Sequence, residues 1–126
     1  MKTLLKAMFT GILLCSSAVF AAGQPITATE LADIEKQGKS AVISTHADWC
    51  STCKKQDKVL ANFMKDPDYK NVVFYQVDYD NQKDLLKALN VRSQSTIIVY
   101  KNGKEVARAT GDTKEAALSK LTRQAI

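Results

Sequence analysis

Short apolar runs in this chain predict the strands of a sheet. The three clearest runs cover residues 40–45, 71–78 and 96–100. The second run is largely apolar on both faces, which is typical of a strand in the middle of a sheet. Asn102 and Gly103 then give a strong signal for a two-residue hairpin turn, so residues 105–110 are expected to return antiparallel. The pattern predicts about four strands.

Apolar residues spaced three or four positions apart indicate helices between these strands. The predicted helices cover residues 28–37, 50–65, 81–89 and 112–121. The expected caps are Thr27 with Glu30 for the first helix, Asp80 or Asn81 for the third, and Asp112 or Thr113 for the fourth. The side chains of the second helix that are expected to face the core are Val59, Leu60, Phe63 and Met64.

The order of these elements decides the fold class. Strands that are joined by helices lie parallel, and the closing hairpin adds an antiparallel strand, so the sheet is mixed. Helices that cross over between parallel strands cover the faces of the sheet. We therefore predict an α/β fold with a central mixed sheet of about four strands, flanked by helices on both faces.

The first residues have the composition of a secretory signal peptide. Lys2 and Lys6 precede an apolar stretch over residues 7–20, and small residues favour cleavage after Ala21. The apolar stretch is shorter than a membrane-spanning helix usually requires, and retention as an anchor is the alternative. We expect residues 1–21 to be a signal peptide and the protein to be periplasmic or secreted.

The remainder, residues 22–126, is expected to form one domain around a single core. The whole chain has 18 basic and 13 acidic side chains, a net charge of +5. The lysines are spread along the chain and are not clustered, which is typical of an ordinary solvated surface. We therefore do not expect nucleic acid among its partners.

Three cysteines are present, and two of them form a Cys-x-x-Cys pair. Cys15 follows Leu14, where a lipoprotein signal needs a small residue, so we do not expect lipidation. A disulfide between Cys50 and Cys53 would close a loop of about four residues, which constrains the unfolded chain little. The pair is therefore expected to do chemistry. Cys50 would lie at a helix N-terminus, where free N–H groups and the helix dipole stabilise a thiolate.

Four stretches of the chain resemble the thioredoxin family. They are Ala-Asp-Trp-Cys-Ser-Thr-Cys-Lys at residues 47–54, Val-Asp-Tyr-Asp at residues 77–80, Tyr-Lys-Asn-Gly-Lys at residues 100–104, and Gly111. The resemblance runs from about residue 30 to the C-terminus. Together with the expected export, the motif around the cysteines is similar to that of the periplasmic reductase domains of the family. It implies a thioredoxin-like fold and an enzyme that exchanges thiols and disulfides.

The resemblance also implies roles for individual residues. Cys50 is expected to be the nucleophile that attacks a substrate disulfide. Cys53 is expected to resolve the mixed disulfide and so form the redox-active Cys50–Cys53 bond. The residues expected around this active site are Trp49, Ser51, Thr52, Lys54 and Ser95.

Several of these neighbours have two interpretations. Trp49 either packs over the active-site turn and limits access to it, or belongs to the core. Lys54 either adds positive potential at Cys50 or simply faces solvent. The hydroxyls of Ser51 and Thr52 are candidates to donate hydrogen bonds to the Cys50 sulfur, which would favour the reduced form.

The chain departs from the family pattern at three places. Ser95 stands where the family has a cis-proline facing the disulfide; since a cis bond before any other residue costs about 2.5–4 kcal/mol, the Gln94–Ser95 bond is predicted to be trans. Ser44 stands where the family often has a buried aspartate. Gln76 stands where the family often has a lysine near that aspartate. The dipeptide between the cysteines is Ser-Thr, which lacks the histidine of strongly oxidising members and so favours reduction.

Two classes of function remain open. The leading one is an exported thiol–disulfide oxidoreductase, with reduction favoured over oxidation. It would act as a monomer without a cofactor on protein disulfides and dithiols, and a membrane thiol-reductant donor would reload it. The alternative is a module that binds copper or zinc, or docks a partner, with little turnover; its candidate ligands are His46, Asp48, Cys50 and Cys53. A second cysteine pair is lacking, so no metal site is expected.

Overall fold

The computed structural model describes residues 23–126 of the chain, so the predicted signal peptide lies outside the described residues. The strands are β1 (Gln24–Pro25), β2 (Ser40–His46), β3 (Val72–Asp78), β4 (Thr96–Lys101) and β5 (Lys104–Thr110). The α-helices are α1 (Ala28–Gln37), α2 (Ser51–Met64), α3 (Lys83–Ala88) and α4 (Glu115–Thr122), with short 3₁₀ turns at Pro67–Tyr69 and Arg123–Ala125. Within residues 23–126, no helix is long and apolar enough to cross a membrane.

The sheet has five strands in the order β1-β3-β2-β4-β5. β1, β3 and β2 run parallel, and β4 and β5 are antiparallel to their neighbours. The predicted mixed sheet is confirmed, but the expectation that every strand joined by a helix lies parallel is wrong for β4, which follows α3 and pairs antiparallel with β2. Apolar periodicity identifies a strand but does not give the direction in which it joins the sheet. The prediction of about four strands missed β1, in which Gln24 pairs with Tyr75 and Pro25 with Gln76. Two exposed residues at a sheet edge carry no apolar alternation, so the pattern could not show this strand.

Two apolar clusters, one on each face of the sheet, form the core. The cluster beneath α1 and α3 includes Ile26, Leu31, Ile34, Ile43, Leu86 and Ile98. The cluster beneath α2 and α4 includes Val42, Leu60, Phe63, Ile97, Val99 and Leu118. β2 contributes to both clusters because successive side chains of a strand point to opposite faces. The prediction of helices on both faces is therefore confirmed.

Two local signals of the sequence are confirmed. Asn102 and Gly103 have positive φ angles of 52° and 79°, as the two-residue turn requires. A Cβ atom at Gly103 would lie 2.7 Å from the carbonyl oxygen of Glu35, so glycine here also lets the hairpin approach α1. The capping box at the start of α1 is present, since Thr27 and Glu30 each accept the other's N–H.

The cap predicted for α3 is wrong. Neither Asp80 nor Asn81 caps this helix, which begins after Gln82 without a side-chain cap. The reason is the carboxylate of Asp78, which accepts hydrogen bonds from the N–H groups of Asp80 at 3.0 Å and Asn81 at 3.2 Å. These bonds form a turn that delays the start of the helix.

The helix α4 also begins later than the sequence predicts. Neither Asp112 nor Thr113 is its N-cap, because the helix starts after Lys114, again without a side-chain cap. The carbonyl oxygen of Asp112 instead accepts a hydrogen bond from the buried Gln56 side chain at 2.9 Å. This bond holds Asp112 in a loop against α2.

Helix α2 begins directly after Cys50, as predicted. Of its predicted inward residues, Leu60 and Phe63 are buried, Val59 is half-buried and Met64 is 43% exposed. The prediction for Met64 is therefore wrong. The buried residues that were missed are Gln56 and Asp57, because a search for apolar periodicity passes over polar side chains that have buried partners.

Candidate active site

The redox turn, residues 47–53, links β2 to α2 and places Cys50 at the N-cap of the helix. The Cys50 sulfur accepts a hydrogen bond from the N–H of Cys53 at 3.1 Å. The two cysteines form a disulfide across Cα atoms 5.3 Å apart, and both are buried. The geometry of the helix start thus directs a backbone donor at the Cys50 sulfur.

Ser95 lies directly against the disulfide, from the loop before β4. The Gln94–Ser95 bond is trans, as predicted. The hydroxyl oxygen of Ser95 is 3.1 Å from the sulfur of Cys50 and 3.2 Å from that of Cys53. Ser95 is 4% exposed and has a φ of 63°, in the left-handed region that residues other than glycine rarely adopt.

Three further hydrogen bonds hold the backbone of Ser95 in place. Its N–H donates to the carbonyl oxygen of Thr45 at 3.0 Å, and its own carbonyl oxygen accepts from the N–H of Gly111 at 3.1 Å. The same oxygen accepts from the side-chain amide of Gln56 at 3.0 Å. Gln56 is buried and also bonds Asp112, so it ties two loops to the helix beneath the disulfide.

The two sulfurs have unequal surroundings. The Ser95 hydroxyl lies at nearly the same distance from both sulfurs, but the Cys50 sulfur also receives a backbone N–H, that of Cys53. The Cys53 sulfur lies 3.5 Å from the carbonyl oxygen of Thr45, which can only accept. Donors stabilise a thiolate and an acceptor stabilises a thiol, so the site favours a negative charge on Cys50 and a proton on Cys53.

The residues between and after the cysteines are less buried than the cysteines themselves. Ser51 and Lys54 are exposed, and Thr52 is half-buried. Within residues 23–126, neither the Ser51 nor the Thr52 hydroxyl forms a hydrogen bond with Cys50. The hydroxyl that reaches the sulfur comes from Ser95, which is distant in sequence.

Trp49 lies on the surface at the rim of the redox turn. Its side chain is 60% exposed, and its indole N–H donates to the Asp80 carboxylate at 3.0 Å. The ring meets Tyr79 edge-on, with centroids 6.3 Å apart. The structure therefore places Trp49 beside the buried Cys50, outside the core, and Asp80 fixes its ring instead of capping a helix.

A buried carboxylate that the sequence analysis missed lies one helical turn after Cys53. Asp57 is 5% exposed, and its Oδ2 lies 2.9 Å from Nδ1 of His46. Burial raises the pKa of Asp57, and the charge of His46 opposes that rise. The sequence did contain a signal for this buried acid: Asp57 lies four residues after Cys53 and therefore on the same face of the amphipathic helix.

The strand positions at which the family carries an acid and a lysine hold neutral residues here. Ser44 donates to the carbonyl oxygen of Tyr75 at 3.4 Å. Gln76 donates to the Asp57 carboxylate, also at 3.4 Å. The buried carboxylate of Asp57 thus lies on α2, whereas these two strand positions are neutral.

The candidate metal ligands do not converge. His46 is held between two carboxylates, since its Nε2 lies 3.2 Å from the exposed Asp48 and its Nδ1 lies beside Asp57. In the part of the chain that the structure describes, no three side chains of the types His, Cys, Asp and Glu are arranged to hold a metal ion.

The family model named Thioredoxin matches residues 26–124 of this chain. The chain belongs to the thioredoxin family. Thioredoxin-1 of Saccharomyces cerevisiae is 33% identical over 85 residues, which cover 68% of this chain and 81% of that relative. Putative thioredoxin-5 of Dictyostelium discoideum is 32% identical over 64% of this chain and 77% of that relative.

Solved structures of thioredoxin-family proteins have the same fold. Trxlp from Edwardsiella tarda EIB202 superimposes with a TM-score of 0.75 at 33% identity, covering 80% of this chain and 99% of that chain. Oxidised mitochondrial thioredoxin 3 from Saccharomyces cerevisiae gives a TM-score of 0.68 at 28% identity, covering 78% and 91%. The predicted thioredoxin-like fold is therefore confirmed.

Family membership and the Cys50–Cys53 disulfide together make this protein a thiol–disulfide oxidoreductase. The thioredoxin family implies protein disulfides as its substrates. The prediction of an enzyme of this class is thus confirmed.

Proposed function

We propose that this thioredoxin-family protein is exported and acts mainly as a reductase of protein disulfides, with Cys50 as the nucleophile and Cys53 as the resolving residue. The observation that supports these roles is the unequal surroundings of the two sulfurs. The Ser95 hydroxyl lies near both sulfurs, but the Cys50 sulfur also receives the N–H of Cys53 at 3.1 Å, whereas a carbonyl oxygen lies 3.5 Å from the Cys53 sulfur. The thiolate is the reactive form of cysteine, and this arrangement favours it at Cys50.

Reduction of a substrate transfers two electrons from the protein dithiol. The Cys50 thiolate attacks one sulfur of the substrate disulfide, a mixed disulfide forms, and the other substrate sulfur leaves as a thiolate that takes up a proton. Cys53 then loses its proton and attacks the Cys50 sulfur, which breaks the mixed disulfide and releases the first substrate sulfur. The products are a substrate dithiol and the Cys50–Cys53 disulfide.

The direction of electron flow follows from the residues between the cysteines. Ser51 and Thr52 supply no histidine of the kind found in strongly oxidising relatives, so we propose reduction as the main direction. An exported reductase works where glutathione and thioredoxin do not maintain thiols. We therefore propose that a membrane thiol-reductant donor reduces the Cys50–Cys53 disulfide again, and that the protein acts as a monomer.

Insulin reduction in the presence of a small dithiol tests the activity and the two roles. We expect turnover by the native protein and none by Cys50→Ser. Cys53→Ser should accumulate a mixed disulfide with the substrate, because nothing resolves it. Equal activity of the native protein and Cys50→Ser would overturn the assignment of the nucleophile. Stoichiometric zinc or copper binding without turnover would favour the binding module instead.

Equilibration with glutathione tests the direction. Members of this fold range from about −270 mV for thioredoxin to about −120 mV for a strong oxidant, and we expect a potential nearer the first value. A potential near the second would overturn the reductase direction and leave the exchange activity standing.

Expression of the full chain in a bacterium with a secretory pathway tests export. We expect the protein in the periplasmic or extracellular fraction, with Ala22 as its first residue. Recovery of the uncleaved chain from the cytoplasm, or from the membrane, would contradict the predicted signal peptide of residues 1–21.

A further inference from the structure

We propose that the Ser95 hydroxyl is a catalytic hydrogen-bond donor that stabilises the Cys50 thiolate and thereby raises the reduction potential of the Cys50–Cys53 pair. The proposal rests on the exchange reaction proposed above and adds to it a side chain that touches the reacting sulfur. The family pattern has a proline at this place, and a proline side chain offers no donor.

The Ser95 hydroxyl is directed at the disulfide and nowhere else. Its oxygen lies 3.1 Å from the Cys50 sulfur and 3.2 Å from the Cys53 sulfur, and within residues 23–126 it has no other hydrogen-bond partner. Because Ser95 is buried, water does not compete for this group in the folded protein. A hydroxyl has one hydrogen to donate, so its effect depends on which sulfur receives it.

After reduction, the Cys50 sulfur accepts the hydrogen bond from the Ser95 hydroxyl. The Cys53 thiol has the carbonyl oxygen of Thr45 as an acceptor for its own hydrogen, at 3.5 Å, so it stays neutral. The Cys50 sulfur already receives the N–H of Cys53 at 3.1 Å, so the negative charge settles there. Hydrogen bonds to a charged acceptor are about twice as strong as neutral ones, and the Ser95 hydrogen therefore turns to Cys50.

The hydroxyl is held in position before reduction occurs. The backbone of Ser95 is bonded on both sides, through Thr45 and Gly111, and the Gln56 side chain fixes its carbonyl oxygen at 3.0 Å. Little reorganisation is needed when the thiolate forms, which is the condition under which a donor is most effective. Gln56 acts here as a positioning residue, since it bonds Ser95 and not the sulfur.

The backbone of Ser95 gives an independent reason to look for a role of its side chain. Its φ of 63° is a conformation in which glycine is favoured and a Cβ atom is disfavoured. Such backbone strain is found at functional sites, where the surrounding structure maintains it. At this position the disfavoured side chain is the one that reaches both sulfurs.

The effect on the potential follows from the two redox states. In the disulfide both sulfurs are neutral and accept hydrogen bonds weakly, whereas in the reduced protein Cys50 carries a full charge. The same hydroxyl therefore stabilises the reduced state more than the oxidised one. The pKa of Cys50 is lowered and the reduction potential is raised, compared with a site that lacks the hydroxyl.

Two substitutions of Ser95 separate the hydroxyl from the backbone. Ser95→Ala removes the hydroxyl and keeps the Cβ atom, whereas Ser95→Gly removes both and relieves the backbone strain. Thiolate absorbance of the reduced proteins during a pH titration gives the pKa of Cys50, and equilibration with glutathione gives the potential. We expect both variants to raise this pKa by about one unit and to shift the equilibrium about tenfold towards the disulfide, or about 30 mV lower.

The outcomes decide the proposal even if one variant is unstable. Equal shifts in both variants, whose stabilities should change in opposite directions, support the hydroxyl as the cause. An unchanged pKa and potential in either folded variant would overturn the proposal. So would changes in pKa that have opposite signs in the two variants, in step with their opposite changes in stability. Ser93→Ala is the matched control. Within residues 23–126 the Ser93 hydroxyl bonds only Gln94, so its removal should leave both quantities as they are.

The test stands apart from the tests of export and direction. If the native potential proves strongly oxidising, the reductase direction fails, but the shift between native protein and Ser95→Ala is still measured. If the shift is absent, the role of Ser95 fails, and insulin reduction by the native protein is unaffected.

Discussion

The two halves of helix α2 contribute to the protein in different ways. In the first half the buried side chains are polar or reactive: Cys53, Gln56 and Asp57. In the second half the buried side chains are apolar: Leu60 and Phe63. The first half is held by directed contacts to the loops and strands around the disulfide, and the second half packs into the cluster beneath α4.

Reactivity and stability are thus separated along a single helix. Apolar packing has no direction and depends on volume, so the second half should affect stability alone. Hydrogen bonds have direction, and a buried group that loses its partner costs free energy, so the first half should affect the sulfurs as well. Substitutions in each half test this contrast.

The largest loss of stability is expected in the apolar half. Leu60 is fully buried, and Leu60→Ala should lower the free energy of unfolding by about 2–5 kcal/mol because it leaves a cavity. The pKa of Cys50 should not change. Urea denaturation and a thiolate titration of the same variant measure the two quantities.

Met64 provides the control on the same helix, since it is exposed and lies outside the core. Met64→Ala should change stability by less than about 0.5 kcal/mol. A marked rise in the pKa of Cys50 in Leu60→Ala would contradict the separation of the two halves.

A smaller loss of stability, accompanied by a change in reactivity, is expected at Gln56. Gln56→Met keeps a similar volume but removes the donor to Ser95 and Asp112, and should lower the free energy of unfolding by about 1–3 kcal/mol. The pKa of Cys50 should rise, though by less than in Ser95→Ala, because the hydroxyl remains but is held less firmly. A thiolate titration that matches the native protein would show that Gln56 is only structural.

Apart from the Met64 control, the smallest effect is expected at Asp57, and its sign is opposite. The pKa of Asp57 is raised by burial, so the folded protein keeps this proton to a higher pH than the unfolded chain. The stabilising contribution is therefore complete below the unfolded pKa of about 3.9 and is lost as the pH rises through the folded pKa. The groups that face Asp57 are His46 and Gln76, with Asp48 on the far side of the imidazole.

Asp57→Asn removes this titration, so the variant should be more stable than the native protein near neutral pH, by less than Gln56→Met destabilises it. Near pH 4, about the unfolded pKa of an aspartate, the two proteins should have similar stability. Urea denaturation of both at the two pH values checks the crossover. Curves that stay parallel with pH would show that His46 fully compensates the buried charge.

Much of the fold could be predicted because its elements are long and periodic. β2, β3 and β4 are apolar runs, and the Asn102–Gly103 turn has a strong residue preference. β1 could not be predicted, since two residues at an edge contain no period and depend on pairing with β3. The start of α3 was missed because the Asp78 carboxylate competes for the same N–H groups.

The site could be predicted only where its residues are neighbours in sequence. The Cys-x-x-Cys spacing and the helix after it are local, so the pair at Cys50 and Cys53 was found directly. The resemblance drew attention to Ser95, but its contact with both sulfurs joins residues more than 40 positions apart. Asp57 was missed for a different reason, because a polar residue on a buried face is hidden by the apolar residues around it.

Trp49 has a practical consequence for all of these measurements. It is the single tryptophan of the chain and directly precedes Cys50. Its indole N–H donates a hydrogen bond to Asp80. All indole fluorescence therefore originates at the rim of the redox turn. Because a nearby disulfide quenches indole emission, opening the Cys50–Cys53 bond should brighten the protein. Tryptophan fluorescence should therefore report the oxidation state of the Cys50–Cys53 pair without an added dye.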